Sequence, residues 1–189
     1  IILKKDREVP VLRGHPWIFS GAIAEIDGNA NAACVVDVFD WGKHWIARGL
    51  FSPKSQIRVR LLTLQKEEID GDFFFRRLSR SLSIRESILS RVTNAYRIVN
   101  GEGDFLPGLI VDRYNEFLVC QFFTAGMDCF KPLIVESLLN LLTAKGIFEK
   151  SEGRVRDEEG IEPSVGVLAG EPPPELIAIE ENGFNFVID

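Results

Sequence analysis

The chain has 189 residues, of which 46% are hydrophobic and 26% charged, and its formal net charge is −6; these are the proportions of a soluble globular protein with room for one large domain or two small ones. No apolar run approaches the roughly 18 residues of a membrane helix, and the start IILKKDREVP lacks the order of charge, apolar core and cleavage site that marks a signal peptide. Three cysteines, Cys34, Cys120 and Cys129, odd in number and without metal-ligand spacing, exclude a disulfide framework or a structural zinc site and point to the cytoplasm.

Residues 1–66 read as short strands. VPVLRGHPWIFSGAI gives a short turn or helix ended by Gly14, then a strand from Pro16 or Trp17. Ala33 to Phe39 and Gln56 to Thr63 alternate and are rich in β-branched residues, and His44 to Phe51 is a third strand between them. Asp40-Trp41-Gly42-Lys43 and Ser52-Pro53-Lys54-Ser55 are their turns. The pattern predicts a small barrel-like β domain.

The period then changes. From Gly71 to Val92 the residues Phe74, Phe75, Leu78, Leu82, Leu89 and Val92 share one side at helical spacing, with Asp72 as the expected N-cap. Arg76, Arg77, Arg80 and Arg91 fall in one quadrant away from that side, and Arg85 lies on its border. Strand patterns follow over AYRIVN and LIVDRYNEFLVCQFF. A second helix is expected over about 128–145, ended by Gly146, then a strand over Ile147 to Ser151. The acidic stretch to Pro174 reads as a loop or linker, and the chain closes on two strands about Asn182-Gly183. Strand, hairpin, helix, strand, hairpin is an α+β order, not a βαβαβ series.

NGEGDFLPGLIVDRY, Asn100 to Tyr114, has almost the spacing of a dinucleotide loop, but Leu106 stands where the third glycine belongs and a β pattern follows instead of a helix. A P-loop would need Lys-Ser or Lys-Thr where Leu109-Ile110 stands. The stretch is therefore expected to be a structural corner, its glycines taking unusual backbone angles and its carboxylates capping amides.

Charge is unevenly spread. Residues 1–66 hold ten Lys and Arg against six acids, whereas 67–189 hold twelve against twenty-two. Six arginines and one acid lie between Arg76 and Arg97, and ten acids and two arginines between Ser151 and Asp189. Only the front half can meet phosphates attractively. Four guanidiniums on one face repel one another unless an anion compensates; RNA and the chain's own acidic tail are both candidates.

LRGHPWIFSGAI (Leu12 to Ile23), ARGLFSPKSQIRVRLLT (Ala47 to Thr63) and VNGEGDFLPGLIVDRY (Val99 to Tyr114) together resemble the bacterial large-subunit ribosomal RNA methyltransferase I family of SAM-dependent cytosine-C5 methyltransferases. The resemblance implies an RNA-binding PUA-like domain over 1–66, an α+β central domain over 67–175 and a hairpin over 176–189, with the Rossmann-like SAM domain absent from this chain. It implies large-subunit rRNA as partner, no membrane association, and S-adenosyl-L-methionine as cofactor of the full-length parent but not of this fragment, which alone should not methylate. A homodimer remains open. The candidate RNA-binding residues are Arg13, His15, Lys43, Arg48, Lys54, Arg76, Arg77, Arg80 and Arg91, guanidiniums and ammoniums suited to phosphate contact, with Trp17 either a stacking surface or core. No catalytic, cofactor or metal ligand is assigned, because all three cysteines read as buried and structural. The rival expectation is a non-catalytic adaptor that binds RNA or protein.

Overall fold

Alternation of apolar and polar residues drives the first third of the chain into one six-stranded sheet. In the computed structural model, which describes residues 1–28, 34–89 and 92–189, that part comprises β1 (Ile2–Leu3), α1 (Val9–Leu12), β2 (Trp17–Phe19), β3 (Ile23–Glu25), β4 (Cys34–Phe39), β5 (Trp45–Phe51) and β6 (Ile57–Thr63). The strand order β2-β6-β5-β4-β1-β3 curls into a nearly closed barrel. Leu3, Val11, Ile18, Val38, Ala47 and Val59 fill it.

Helix α2 (Gly71–Ile88) follows. Its N-cap is Asp70, whose carboxylate accepts the Phe73 amide at 2.9 Å. The expected cap, Asp72, lies in the first turn, where its charge suits the helix dipole. The buried side is Phe73, Phe74, Leu78 and Leu82; Phe75, expected inside, is exposed. Phe73 takes its place, edge-on to Phe74 with ring centroids 5.4 Å apart. The helix also stops earlier than expected, because Leu89 is already extended.

The second sheet is built from β7 (Ala95–Asn100), β8 (Leu109–Tyr114), β9 (Phe117–Phe122), then, after α3 (Ala125–Asp128) and α4 (Lys131–Leu141), β10 (Gly146–Ser151), and, after α5 (Arg154–Glu159), β11 (Ser164–Gly170). Its order is β11-β10-β9-β8-β7, with only β9 and β10 parallel. Helices α2 and α4 pack on each other, and share a core with Ile98, Val111, Leu118 and Phe122 of the strands. The hairpin β12 (Ile177–Glu181) and β13 (Phe184–Ile188) turns at Asn182 and Gly183, both at positive φ as such a turn requires.

Two expectations over this region are corrected. The helix expected over about 128–145 is the shorter α4, opened by Pro132 and preceded by the separate turn α3, which the Thr124 hydroxyl caps by accepting the Met127 amide; Gly146 begins β10 instead of ending the helix. The acidic linker to Pro174 instead contains α5 and β11. What orders it is an inward-facing charge. The Arg156 guanidinium, 3% exposed, donates to the Phe122 and Glu162 carbonyls and to Asp128. Hydrophobic periodicity has no mark for such a residue.

The cysteines also divide. Cys120 is wholly buried in β9, where desolvation raises its thiol pKa far above the ordinary value and leaves it unreactive. Cys129, expected to be buried, is exposed, its Sγ donating to the Ala125 carbonyl at 3.3 Å; Phe130 packs inward beside Phe74 instead. The Cys34 side chain lies outside the described ones.

The barrel and the second sheet meet through side chains of both. Leu50 and Leu62, from β5 and β6, belong to the core formed by α2, α4 and β7–β10 rather than to the barrel's own. Gly126 of α3 sits so close to β5 that a Cβ there would stand 2.7 Å from Leu50 Cβ. A second junction is polar. Glu159, 2% exposed, accepts from Arg60 at 2.7 Å, from the Ser52 hydroxyl at 2.6 Å and from the Ala125 amide at 3.3 Å.

Candidate nucleic-acid interface

Helix α2 buries its apolar side in the shared core, and this turns Arg76, Arg77 and Arg80 toward the end of β6. Between them and the segment Leu61 to Gln65 runs an open cleft of about 510 Å³, which Glu67, Glu102 and Phe105 also line. Arg77 is its fixed point. Its guanidinium donates to the Leu62 carbonyl at 3.1 Å and lies against two rings, Phe73 at 5.1 Å and Phe105 at 5.4 Å. Burial, then repulsion by Arg80 and Arg76, lowers its pKa against the pull of Glu67, although a guanidinium remains charged at any working pH. Arg76 pairs with Glu67 at 2.7 Å, and that carboxylate also accepts the Thr63 hydroxyl at 2.7 Å. Arg80 is exposed and makes no hydrogen bond or ion pair among the described residues. Arg91 lies outside the described residues.

The glycine-rich stretch forms the floor near this cleft. Gly101–Asp104 is a turn of 3-10 helix leading into β8 without any α-helix. Asp104 accepts both Arg85 nitrogens, at 2.5 and 2.6 Å, and the Asn100 amide at 2.6 Å. Glu102 accepts the Trp17 indole N–H at 2.8 Å and so ties the turn to the barrel. The expected structural corner is what the chain builds. Trp17 is half-buried, between the two roles the sequence allowed.

The other candidates are dispersed. Arg13 and His15 are exposed and flank Gly14 and Pro16, which line the cleft. The His15 imidazole stands edge-on to Trp17 at 6.0 Å. Lys43 sits at positive φ in the β4–β5 turn, apart from the cleft. Lys54 lines a second cavity of about 660 Å³ with Arg60 and Glu159. Arg48 is engaged internally, with Asp37 at 2.8 Å, the Glu67 carbonyl at 2.7 Å and Glu68 at 3.2 Å. The cleft therefore unites Arg76, Arg77 and Arg80; Arg13 and His15 are next in the chain to its lining residues Gly14 and Pro16 but do not line it. Phe105 and Glu102 were not among the candidates; the one sequence signal for Phe105 is an aromatic set inside a glycine-rich turn.

None of the acids of residues 151–189 pairs with Arg76, Arg77 or Arg80 among the described residues. Glu159 is buried at the junction and Glu158 pairs with Arg154.

Residues 1–64 match the family model of a PUA-like domain. The whole chain is 43% identical to a protein from Aliivibrio fischeri (strain MJ11) named ribosomal RNA large subunit methyltransferase I, 43% to one of that name from Tolumonas auensis, and 39% to one from Vibrio cholerae. In each case it covers all of this chain and 48% of the relative, so the chain spans about half the length of the curated relatives it matches. The resemblance drawn from the three motifs is borne out. Two methyltransferase structures share the fold over 99% of the chain and 47% of theirs: one from Streptococcus mutans, with a TM-score of 0.81, and one complexed with SAH, at 0.82, both at 20% identity.

Proposed function

We propose that these residues are the RNA-gripping half of a SAM-dependent methyltransferase that acts on cytosine C5 of large-subunit ribosomal RNA in the cytoplasm. One observation carries the reading: three arginines on α2 line an open cleft against a PUA-like barrel, and among the described residues none of them pairs with the acidic region 151–189. Arginine forks hold phosphates bidentately, and the release of counterions drives such contacts. Arg13 and His15 extend the surface beyond the cleft lining, with Lys43 and Lys54 as outlying contacts. The cytosine-C5 specificity is what the family resemblance of the three motifs implies.

The glycine turn does not fit a cofactor role. It opens no α-helix that could face a cofactor, and Cys120, the wholly buried thiol, is no nucleophile. In this reading S-adenosyl-L-methionine and the chemistry of transfer belong to a part of the protein outside these 189 residues. The residues here hold and orient the RNA.

The test is binding of the chain to a large-subunit rRNA fragment, followed by fluorescence anisotropy across a salt series. Affinity should fall steeply with salt, and the double variant R76E/R80E should lower the log–log slope by about 0.7–0.9 for each phosphate it no longer neutralises. Binding that ignores salt, or a slope untouched by the double variant, refutes the RNA reading and favours the adaptor.

A further inference from the structure

We propose that the cleft receives one unpaired nucleotide of RNA, its base laid on the ring of Phe105 and its phosphate held by Arg80. The proposal rests on the RNA reading above and gives it a subsite.

The first observation is a backbone angle. Phe105 has φ +58° and ψ 31°, in the left-handed region. A bulky side chain is a genuine outlier there, whereas glycine would sit without strain. Such strain persists where the surroundings over-determine it, and functional sites are where it gathers. Here it presents a phenyl ring that is 55% exposed and outside both apolar cores.

The second observation is what holds that ring. Arg77 stands between Phe73 and Phe105, within 5.4 Å of each centroid, and its bond to the Leu62 carbonyl locks it in place. Phe73 is wholly buried. The three side chains make a run of contacts that begins in the core and ends at the cleft surface. A ring fixed in this manner is a platform for a base, because every base offers a π-face whatever its sequence.

The third is the charge around it. Three guanidiniums share the cleft with two carboxylates. Glu67 is taken up by Arg76 and Thr63, and Glu102 by the Trp17 indole. This leaves Arg80, one helical turn beyond Arg76 and Arg77, as the cation open to a phosphate. The 510 Å³ of space lies within the roughly 300–1,000 Å³ of small-ligand sites. A base stacked inside a duplex has no open face to give to the ring, so the occupant is an unpaired or splayed-out nucleotide.

The experiment compares the chain with F105G and F105Y, using an unpaired RNA of about 12 nucleotides, within the span of such single-strand sites, carrying 2-aminopurine, and a duplex of equal length. Glycine removes the ring at a backbone angle that suits glycine, so folding is preserved and is checked by thermal melting. The expected result is that the unpaired RNA binds F105G about five- to a hundredfold more weakly, with 2-aminopurine quenching abolished. The ratio of unpaired to duplex affinity should fall, and F105Y should restore both. An unchanged ratio with RNA binding intact overturns the subsite alone. Failure of the unsubstituted chain to bind either RNA overturns the RNA reading and the subsite with it.

Discussion

Two arginine sites lie where the barrel meets the second sheet, and they treat the same side chain in opposite ways. At the junction, Arg60 and Glu159 are 6% and 2% exposed, and the carboxylate is further bonded by Ser52 and the Ala125 amide. At the cleft, Arg76, Arg77 and Arg80 line open space with one carboxylate, Glu67, paired among them. A buried guanidinium must be matched inside the protein, since desolvation leaves no other partner. An exposed row can leave its match to a ligand. The difference separates architecture from recognition better than a count of positive charge does, because that count weighs a buried arginine and an open one alike.

The sharpest way to break the comparison is at the junction. Glu159→Ala strands a buried Arg60 and should destabilise the fold by about 3–5 kcal/mol, measured by urea denaturation. At the cleft, Arg80→Ala should shift stability by no more than about 0.5 kcal/mol while weakening RNA binding and lowering its salt slope by the share of about one phosphate. If both variants moved stability alike, the two sites would not differ in kind. Removing the cap of the helix that carries the row, by Asp70→Ala, should cost about 1 kcal/mol with a smaller fall in RNA affinity, read in the same two assays.

The smallest effect is expected at Arg48, which tests whether a candidate RNA contact is internal. Its hydrogen bonds to Asp37, joined by that of the Trp45 indole, hold the Asp37 carboxyl below its ordinary pKa despite the cost of burial. A lowered folded pKa stabilises above the unfolded value of about 3.9, and that stability is lost as pH falls through the folded value. Asp37 is a third exposed, so the amount is small, about 1 kcal/mol or less. Stability against pH should therefore be flatter below about pH 4 in Asp37→Asn, and RNA affinity at neutral pH should not change.

Much of this was legible in the sequence. Asn182-Gly183 announced its hairpin, the β-branched runs their strands, and the spacing of Arg76, Arg77 and Arg80 their common face. What escaped was set by partners distant in the chain. Phe73 rather than Phe75 turns inward because α4 and the second sheet decide which side of α2 is covered. α5 and β11 were hidden behind acids and prolines, since Arg156 orders them from within. Phe105 carried no periodicity at all, and its place depends on Arg77, twenty-eight residues earlier.

Leu50 and Leu62 carry a consequence for modularity. They are barrel residues by sequence and topology, yet their side chains finish the neighbour's core. A barrel excised after Lys66 would open two leucines to water and lose the wall against which α2 sets its arginines. This PUA-like module is thus not a cassette to be moved by cutting at its last strand. Any exchange must carry α2 with it, and the cleft travels as a pair of halves or not at all.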